Sequence, residues 1–173
     1  QLISTLQPFE DETAPFDNDR AQRALLAWRS GGFSVRALSV NRLRGLPSFV
    51  EELDAFRPSM DRTTIRMLQS GWEGRVGEHW DLTASVTLMQ QRYRLDDVIF
   101  LLASRPLDIY RFEAFGRWGI GELRLGREWG NDHYLMAGLE WQRDWQQLFR
   151  TEVPGLLDDR QLYDAQRVGV FLQ

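Results

Sequence analysis

Residues 81–93 show the clearest alternation of apolar and polar side chains in the chain. The alternation runs through Asp81, Leu82, Thr83, Ala84, Ser85, Val86, Thr87 and Leu88. A helix needs apolar residues three and four positions apart, and those spacings here pair Leu82 with Ser85 and Ala84 with Thr87. The period of two, together with the Thr and Ser content, therefore predicts a β-strand.

The same period recurs elsewhere along the chain. It appears at residues 110–118 and 135–141, with shorter matches at 24–28, 33–37 and 168–172. In the segment 110–118 the even positions are aromatic or small, and the odd positions are mostly charged. We expect these charges on an inner face, and we expect the pattern to continue through Leu123 and Leu125. That gives one strand of about twenty residues, or two strands broken near Gly119 to Gly121.

The connections between these segments are of two kinds. Glycine-containing turn signals occur at residues 30–32, 77–79 and 130–132, whereas longer connections are predicted at 45–61, 95–106 and 150–161. Short periplasmic turns alternating with longer extracellular loops are typical of outer-membrane barrels. Trp28, Trp80 and Trp129 lie next to the short turns, where an aromatic girdle would mark one membrane interface. The alternative is that these rings pack hairpin ends in a soluble β-protein.

These patterns predict an all-β fold, an antiparallel up-and-down meander that forms part of a transmembrane outer-membrane β-barrel. Residues 1–19 are predicted to be a loop or irregular lead-in, and residues 20–173 about seven antiparallel strands. The sheet should be an open, curved wall with edges near Ala24 and Val170. Its apolar face should point outward and combine Leu82, Ala84, Val86 and Leu88 with Leu135, Ala137 and Leu139.

Composition narrows the possible classes of protein. The chain has 173 residues, is 43% hydrophobic and has no cysteine, so disulfides and thiolate metal sites are excluded. No stretch approaches the roughly 18 consecutive apolar residues of a membrane-spanning helix. All 21 basic residues are arginine and the net charge is -4, which disfavours nucleic-acid binding.

Several runs resemble the barrel of the TonB-dependent outer-membrane receptors. They are residues 32–38 (GFSVRAL), 41–49 (NRLRGLPSF), 80–84 (WDLTA), 133–141 (HYLMAGLEW) and 168–173 (VGVFLQ). The second run is similar to a strand that enters an extracellular loop marked by a basic residue, glycine, an aliphatic residue and proline. The last run is similar to a strand that continues into a periplasmic turn.

The resemblance implies a location in the bacterial outer membrane and a role in taking up a scarce nutrient, such as an iron-siderophore complex or cobalamin. The implied partners are outer-membrane lipid and lipopolysaccharide, a plug domain of the same receptor, the TonB complex acting through that plug, and the cargo. Members of the family have a plug and a barrel of 22 strands. The present chain shows no plug and stops at Gln173 in mid-pattern, so we expect a barrel fragment.

Enzymatic chemistry is not indicated. The two histidines, His79 and His133, both fall at predicted short turns, and no phosphate-cradling loop or nucleophile elbow is present. No catalytic, cofactor-binding or metal-binding residue is predicted, no cofactor is expected, and the ligand-binding residues stay unknown. Acidic clusters at residues 10–19, 51–54 and 158–159 are interpreted as solvated charge, with a divalent-ion or lipopolysaccharide-bridging surface as the alternative.

Charged side chains are also predicted on the lumen side of the barrel. These are Arg111, Glu113, Arg117, Arg124 and Glu140, interpreted as structural pairs that contact a plug. Residues 46–60, 96–104 and 151–160 are the candidate cargo-facing loops. Two other functions stay open: a structural or adhesive outer-membrane barrel without transport, and a soluble β-barrel or β-sandwich binding module. A plug encoded upstream would separate transport from both, and detergent dependence would separate membrane from soluble.

Overall fold

Eight antiparallel strands pair in the order of the chain in a computed structural model of the protein. The structure describes residues 2–13, 17–50, 55–99, 108–129, 133–155 and 157–173. The strands are β1 (Leu2–Thr13), β2 (Asp17–Ser30), β3 (Phe33–Val50), β4 (Ala55–Val76), β5 (Trp80–Ile99), β6 (Asp108–Trp129), β7 (His133–Val153) and β8 (Leu157–Leu172). The predicted all-β meander is therefore confirmed. The part of the chain that the structure describes has no helix long and apolar enough to cross a membrane.

The strands are much longer than those of ordinary soluble domains, which average about five to six residues. β4 and β6 each have 22 residues. At about 3.4 Å per residue, such a strand is about 70 Å long. β6 passes Gly119 to Gly121 without a break, so the single-strand alternative is the one observed.

Two of the three predicted short turns lie among the described residues and are confirmed. The β2–β3 turn has Gly31 at φ 55° and Gly32 at φ 84°, a combination that fits a two-residue hairpin turn. A Cβ on Gly32 would lie 2.4 Å from the Glu73 carbonyl oxygen, so only glycine fits there. The β4–β5 turn has Gly77 at φ 68°. Residues 130–132 lie outside the described residues, although Trp129 pairs with His133.

The predicted long connections are wrong where the structure describes them. In the segment 45–61, β3 and β4 continue to pair until Val50 lies opposite Ala55. In the segment 150–161, β7 ends at Val153, and a turn with Gly155 at φ 75° leads into β8. In the segment 95–106, β5 extends to Ile99, and residues 100–106 lie outside the described part. Hairpin hydrogen bonds satisfy the backbone at these ends, so the ladder continues where the side chains no longer alternate.

The strand count and one sheet edge also differ from the prediction. β1 occupies most of the predicted irregular lead-in and pairs with β2 along its whole length. Its Pro8 is tolerated because β1 is an edge strand, where a missing N–H need not break a ladder. Ala24 therefore lies in an interior strand, whereas Val170 lies in β8, which pairs on one side only among the described residues.

The sheet has almost no core of its own. Among the described side chains, Val153 is the one buried apolar residue, at 7% exposure. Soluble domains stack two or more layers around a shared apolar core. Here the side chains are supported by neighbours on the same face of one layer, so function must be sought on the two faces.

Candidate functional site on the two faces of the sheet

The strand register assigns every described residue to one of two faces, because directly opposite residues in paired strands point the same way. Ala84 in β5 lies opposite Leu123 in β6, which lies opposite Leu139 in β7. We call the face that carries these three residues face A. The opposite face, which carries Arg124, is face B.

The half of face A nearest the β2–β3 and β4–β5 turns is apolar from β2 to β8. This apolar band consists of Leu26, Trp28, Phe33, Val35, Ala37, Leu68, Trp72, Leu82, Ala84, Val86, Leu88, Leu123, Leu125, Leu135, Ala137, Leu139, Trp141, Val168, Val170 and Leu172. Most of these side chains are exposed, with Val86 at 53% and Val170 at 79%. The prediction that Leu82, Ala84, Val86 and Leu88 share an accessible face with Leu135, Ala137 and Leu139 is confirmed.

The aromatic residues near the turns lie on the same face. Trp28 is in register with Val35, Ser70 and Val86, and Trp80 is in register with Arg127. The Arg127 guanidinium carbon lies 5.2 Å from the centroid of the Trp80 ring, a cation–π contact that keeps the positive charge at the turn end. Aromatic and charged side chains therefore line the edge of the apolar band that is nearest the turns.

Beyond the apolar band, face A carries an apolar row of Phe115, Leu148 and Leu162 and then becomes charged. A chain of alternating charges crosses from β5 to β8, formed by Arg94, Asp96, Arg111, Glu152, Arg150 and Asp158. Its shortest link joins Arg111 Nε to Asp96 Oδ1 at 2.8 Å. Arg150 holds Asp158 through two hydrogen bonds of 3.0 and 3.1 Å. The network ties the far ends of four strands together.

Asp96 makes the network sensitive to acid. Burial raises the pKa of the Asp96 carboxyl, but hydrogen bonds from Arg111 and Arg94 and their positive charges outweigh it and hold the pKa below 3.8. A lowered pKa means that the ionised carboxylate favours the folded sheet. This stabilisation is present above the ordinary pKa and is lost as the pH falls through the lower folded-state value.

We therefore expect Asp96→Asn to lower the free energy of unfolding near pH 7 by up to about 1 kcal/mol, since the group is part-exposed and screened. The difference from wild type should shrink as the pH is lowered from 7 toward 2, because a protonated Asp96 is neutral, as asparagine already is. Urea unfolding at the two pH values measures it. Asp159→Asn is the control, because Asp159 accepts a hydrogen bond from the neutral Gln161 at 3.1 Å and takes no part in the network. An equal loss at both pH values would contradict the electrostatic explanation.

Face B is largely polar opposite the apolar band, apart from an apolar row that runs from Leu25 to Met89 across β2 to β5 at the far edge of the band. Arg29 Nη2 lies 3.2 Å from Glu73 Oε1, and Arg75 Nε lies 3.6 Å from Asp81 Oδ1. Arg124 pairs with Glu122 on β6. Exposed pairs of this kind contribute about 0–1 kcal/mol each, so they indicate a hydrated surface more than a source of stability.

The predicted lumenal charges are divided between the two faces. Arg124 and Glu140 lie on face B, but Arg111, Glu113 and Arg117 lie on face A beyond the apolar band. The reason is parity: the aromatic residues at 110–118 occupy even positions of β6, whereas Leu123 and Leu125 occupy odd ones. Since β6 has no inserted residue between them, the apolar pattern changes face along the strand. Grouping the five charges on one face was therefore wrong.

The further half of face B holds a pocket of about 510 Å³. Its floor is Ala114 and Gly116 of β6, two residues that fill little space. Four rings surround the floor: Tyr93, Trp118, Phe149 and Tyr163. Polar side chains complete the wall: Gln91, Gln142, Asp144, Gln147 and Arg167. Apolar rings with a few well-placed polar groups are the usual composition of a small-molecule site.

The register explains why the pocket forms. Tyr93, Ala114 and Phe149 lie in one row across β5, β6 and β7, so one ring stands on each side of the small Ala114. Phe149 packs edge-on against Tyr163, with ring centroids 6.3 Å apart. Burial, together with the charge of Asp61, raises the pKa of Tyr93, which keeps its hydroxyl protonated and able to donate.

A β-bulge in β7 completes the pocket. The register of β7 shifts between Asp144 and Gln147 against β8, and between Arg117 and Trp118 on β6. The extra residue directs both Asp144 and Gln147 to face B. Asp144 is 6% exposed, and Gln142 Nε2 donates a hydrogen bond to its Oδ1 at 2.9 Å. Asp144 also lines the pocket and contributes a buried carboxyl group to its wall.

The other sequence candidates lie away from this pocket. His79 is in the β4–β5 turn and His133 begins β7, both at the turn end. Residues 151–160 form the end of β7, a turn and the start of β8, and Asp158 pairs with Arg150. Residues 51–54 and 100–104 lie outside the described part, and the side chains of residues 10–12 are not described. The described residues contain no group of three or more His, Cys, Asp or Glu side chains able to hold a metal ion.

No protein-family model matches the chain. Comparisons with curated proteins and with solved structures give no match either. The features of the molecule that bear on its function are therefore the apolar band, the charged network and the pocket.

Proposed function

We propose that the sheet is part of the wall of a bacterial outer-membrane β-barrel, with face A toward the lipid and face B toward the lumen. The observation that carries the proposal is the apolar band, which crosses seven strands and is exposed. Contiguous apolar patches beyond a few hundred Å² are rare on soluble monomers and mark interfaces with proteins or membranes. A strand needs roughly 9–11 residues to cross the hydrocarbon core, about the length of the alternation from Trp80 to Leu88.

The soluble binding module is the weaker alternative. It would need a second layer to cover the apolar band, and the same face carries the charged network beyond it. A membrane explains both halves of face A at once, because the strands leave the hydrocarbon where the charges begin. The tryptophans at the turn end fit the second interface.

We further propose that the barrel belongs to a TonB-dependent receptor that takes up a scarce nutrient, such as an iron chelate or cobalamin. Support comes from the sequence resemblance and from the pocket on face B, which would lie in the lumen on the extracellular side of the lipid. A plug domain and the TonB complex would supply gating and energy, and the role would be non-enzymatic. A purely structural or adhesive barrel has no use for a ring-lined lumenal pocket.

Single cysteines test the membrane orientation, and the absence of native cysteine gives a clean background. Val86→Cys on face A and Thr87→Cys on face B are adjacent on β5. In the protein made from its own gene in its own cells, we expect Thr87→Cys to react with a water-soluble maleimide and Val86→Cys to be protected. A bimane label at position 86, attached to unfolded protein before refolding into vesicles, should be quenched by brominated lipid. Equal reaction at both positions with the water-soluble reagent would rule out the membrane wall.

A further inference from the structure

We propose that the β7 bulge builds a binding site for a phosphate-bearing lipid on face A. The acyl chain would lie on the upper edge of the apolar band and the phosphate between Arg66 and Arg117. The inference rests on the proposed membrane position of face A. It concerns a different face and a different ligand from the lumenal pocket.

The site is a groove of about 350 Å³ with one apolar and one basic side. Leu68, Leu88 and Trp145 form the side nearest the apolar band. Arg66 and Arg117 form the other side, in one row with Gln90 between them. Strands lie about 4.8 Å apart, so the two arginine backbones are roughly 10 Å apart, a span that two arginine side chains can close on one phosphate group.

The bulge and a glycine create the apolar side. Trp145 is the extra residue of β7 and points to face A, where its ring lies over Gly119 of β6. A Cβ on Gly119 would lie 2.5 Å from Trp145 Cη2 and 3.2 Å from Leu88 Cδ2, so any side chain there would displace the indole. Trp145 stays 48% exposed, which leaves its ring free to contact an acyl chain and the headgroup region.

Charge identifies the other end of the ligand. Among the described residues, neither Arg66 nor Arg117 has a carboxylate within ion-pair distance. One row further from the band, Arg92 is paired with Glu113. The Arg117 guanidinium carbon lies 5.0 Å from the Phe115 ring centroid, which holds the charge away from the apolar band. Two unpaired guanidinium groups at the edge of a lipid-facing surface are suited to an anionic headgroup, and arginine binds phosphate oxygens through paired hydrogen bonds.

The test compares lipid binding by the purified intact protein and by two double variants, using native mass spectrometry from a neutral detergent. The probes are dioleoyl phosphatidic acid, dioleoylglycerol and inorganic phosphate. The test variant is Arg66→Gln with Arg117→Gln. The matched control is Arg23→Gln with Arg36→Gln, which removes the same charge from face B. We expect the test variant to bind phosphatidic acid at least about tenfold more weakly, and the control to bind like wild type.

Each outcome decides the question. Preferential binding of phosphatidic acid over both other probes, lost only in the test variant, supports the site. Equal loss in both variants, or wild-type binding of dioleoylglycerol equal to that of phosphatidic acid, overturns it. Wild-type binding of inorganic phosphate as tight as that of the lipid identifies a free-phosphate site instead. Insertion of all three proteins into phosphatidylcholine vesicles is measured in parallel. If they insert but show no selective lipid binding, only this inference fails, and if none inserts, the proposed membrane wall fails.

Discussion

Val86→Arg is expected to reduce the amount of assembled protein in the outer-membrane fraction by about tenfold or more. Val86 lies within the apolar band and is 53% exposed on face A. Arginine on the lipid face of a barrel costs about 2–4 kcal/mol near the bilayer midplane and less toward the interfaces. A loss of that size is a large share of the 5–15 kcal/mol that typically stabilises a folded protein. The amount of protein that resists unfolding by SDS without heating, in membranes from the native cells, measures the effect.

Thr87→Arg is the matched control, because Thr87 is the next residue of β5 and lies on face B opposite Gln69 and Ile120. A charge on a hydrated lumenal wall should change assembly little. If face A instead met water, arginine at a half-exposed valine would change stability by no more than about 0.5 kcal/mol. Two variants that assemble equally well would therefore contradict the membrane assignment directly.

The sequence predicts the faces of the strands where one face is uniformly apolar. Residues 82–88 and 135–139 have unbroken alternation, so their shared face follows from the period of two and antiparallel pairing. β4 carries mixed side chains on both faces, with Ile65 and Met67 on one and Arg66 and Leu68 on the other. Such a strand shows no clear alternation, and β4 is identified only by its pairing with β3 and β5.

The change of face along β6 has a similar cause. Leu123 and Leu125 occupy face A, while Phe112 and Trp118 occupy face B. In the proposed barrel, the part of β6 beyond the lipid would no longer need apolar residues on the outside. The sequence prediction continues one alternation across Gly119 and Gly121, and so it treats these two patterns as a single one. The strand ends are missed for a different reason. The ladders continue to Val50 and Val153 through backbone hydrogen bonds. The side chains there do not alternate, so the sequence does not predict these strand ends.

The pocket lies beyond what sequence alone can predict, because its residues come from four strands whose register must be known to within one position. A bulge of one residue in β7 decides that Asp144 and Gln147 both reach face B and that Trp145 reaches face A. The aromatic residues at even positions from 110 to 118 are a partial signal. They indicate that β6 carries rings on one face, but not that Ala114 and Gly116 form a floor between rings of β5 and β7.

That floor provides the sharpest test of the pocket. Ala114→Trp places a large ring between Tyr93 and Phe149, in the space that a ligand would occupy. We expect uptake of the cargo to fall by at least about tenfold, the change that corresponds to about 1.4 kcal/mol of lost binding. Uptake of a radiolabelled iron chelate and of radiolabelled cobalamin by the native cells measures it. Assembly should be little affected, because the added ring extends into an open pocket and not into a packed core.

Phe115→Trp is the control, since Phe115 is the next residue of β6 and borders the pocket, but its register places its side chain on face A. It adds a ring of the same kind to the same strand but on the face opposite to the pocket rings, so its uptake should match wild type. Equal uptake by Ala114→Trp and wild type, at equal protein amounts, would show that cargo does not pass through this pocket. Equal loss in both variants would place the defect in the strand and not in the pocket. A selective loss in Ala114→Trp connects the ring-lined pocket to transport. The two substitutions are adjacent in β6 and differ in the face on which the new ring lies.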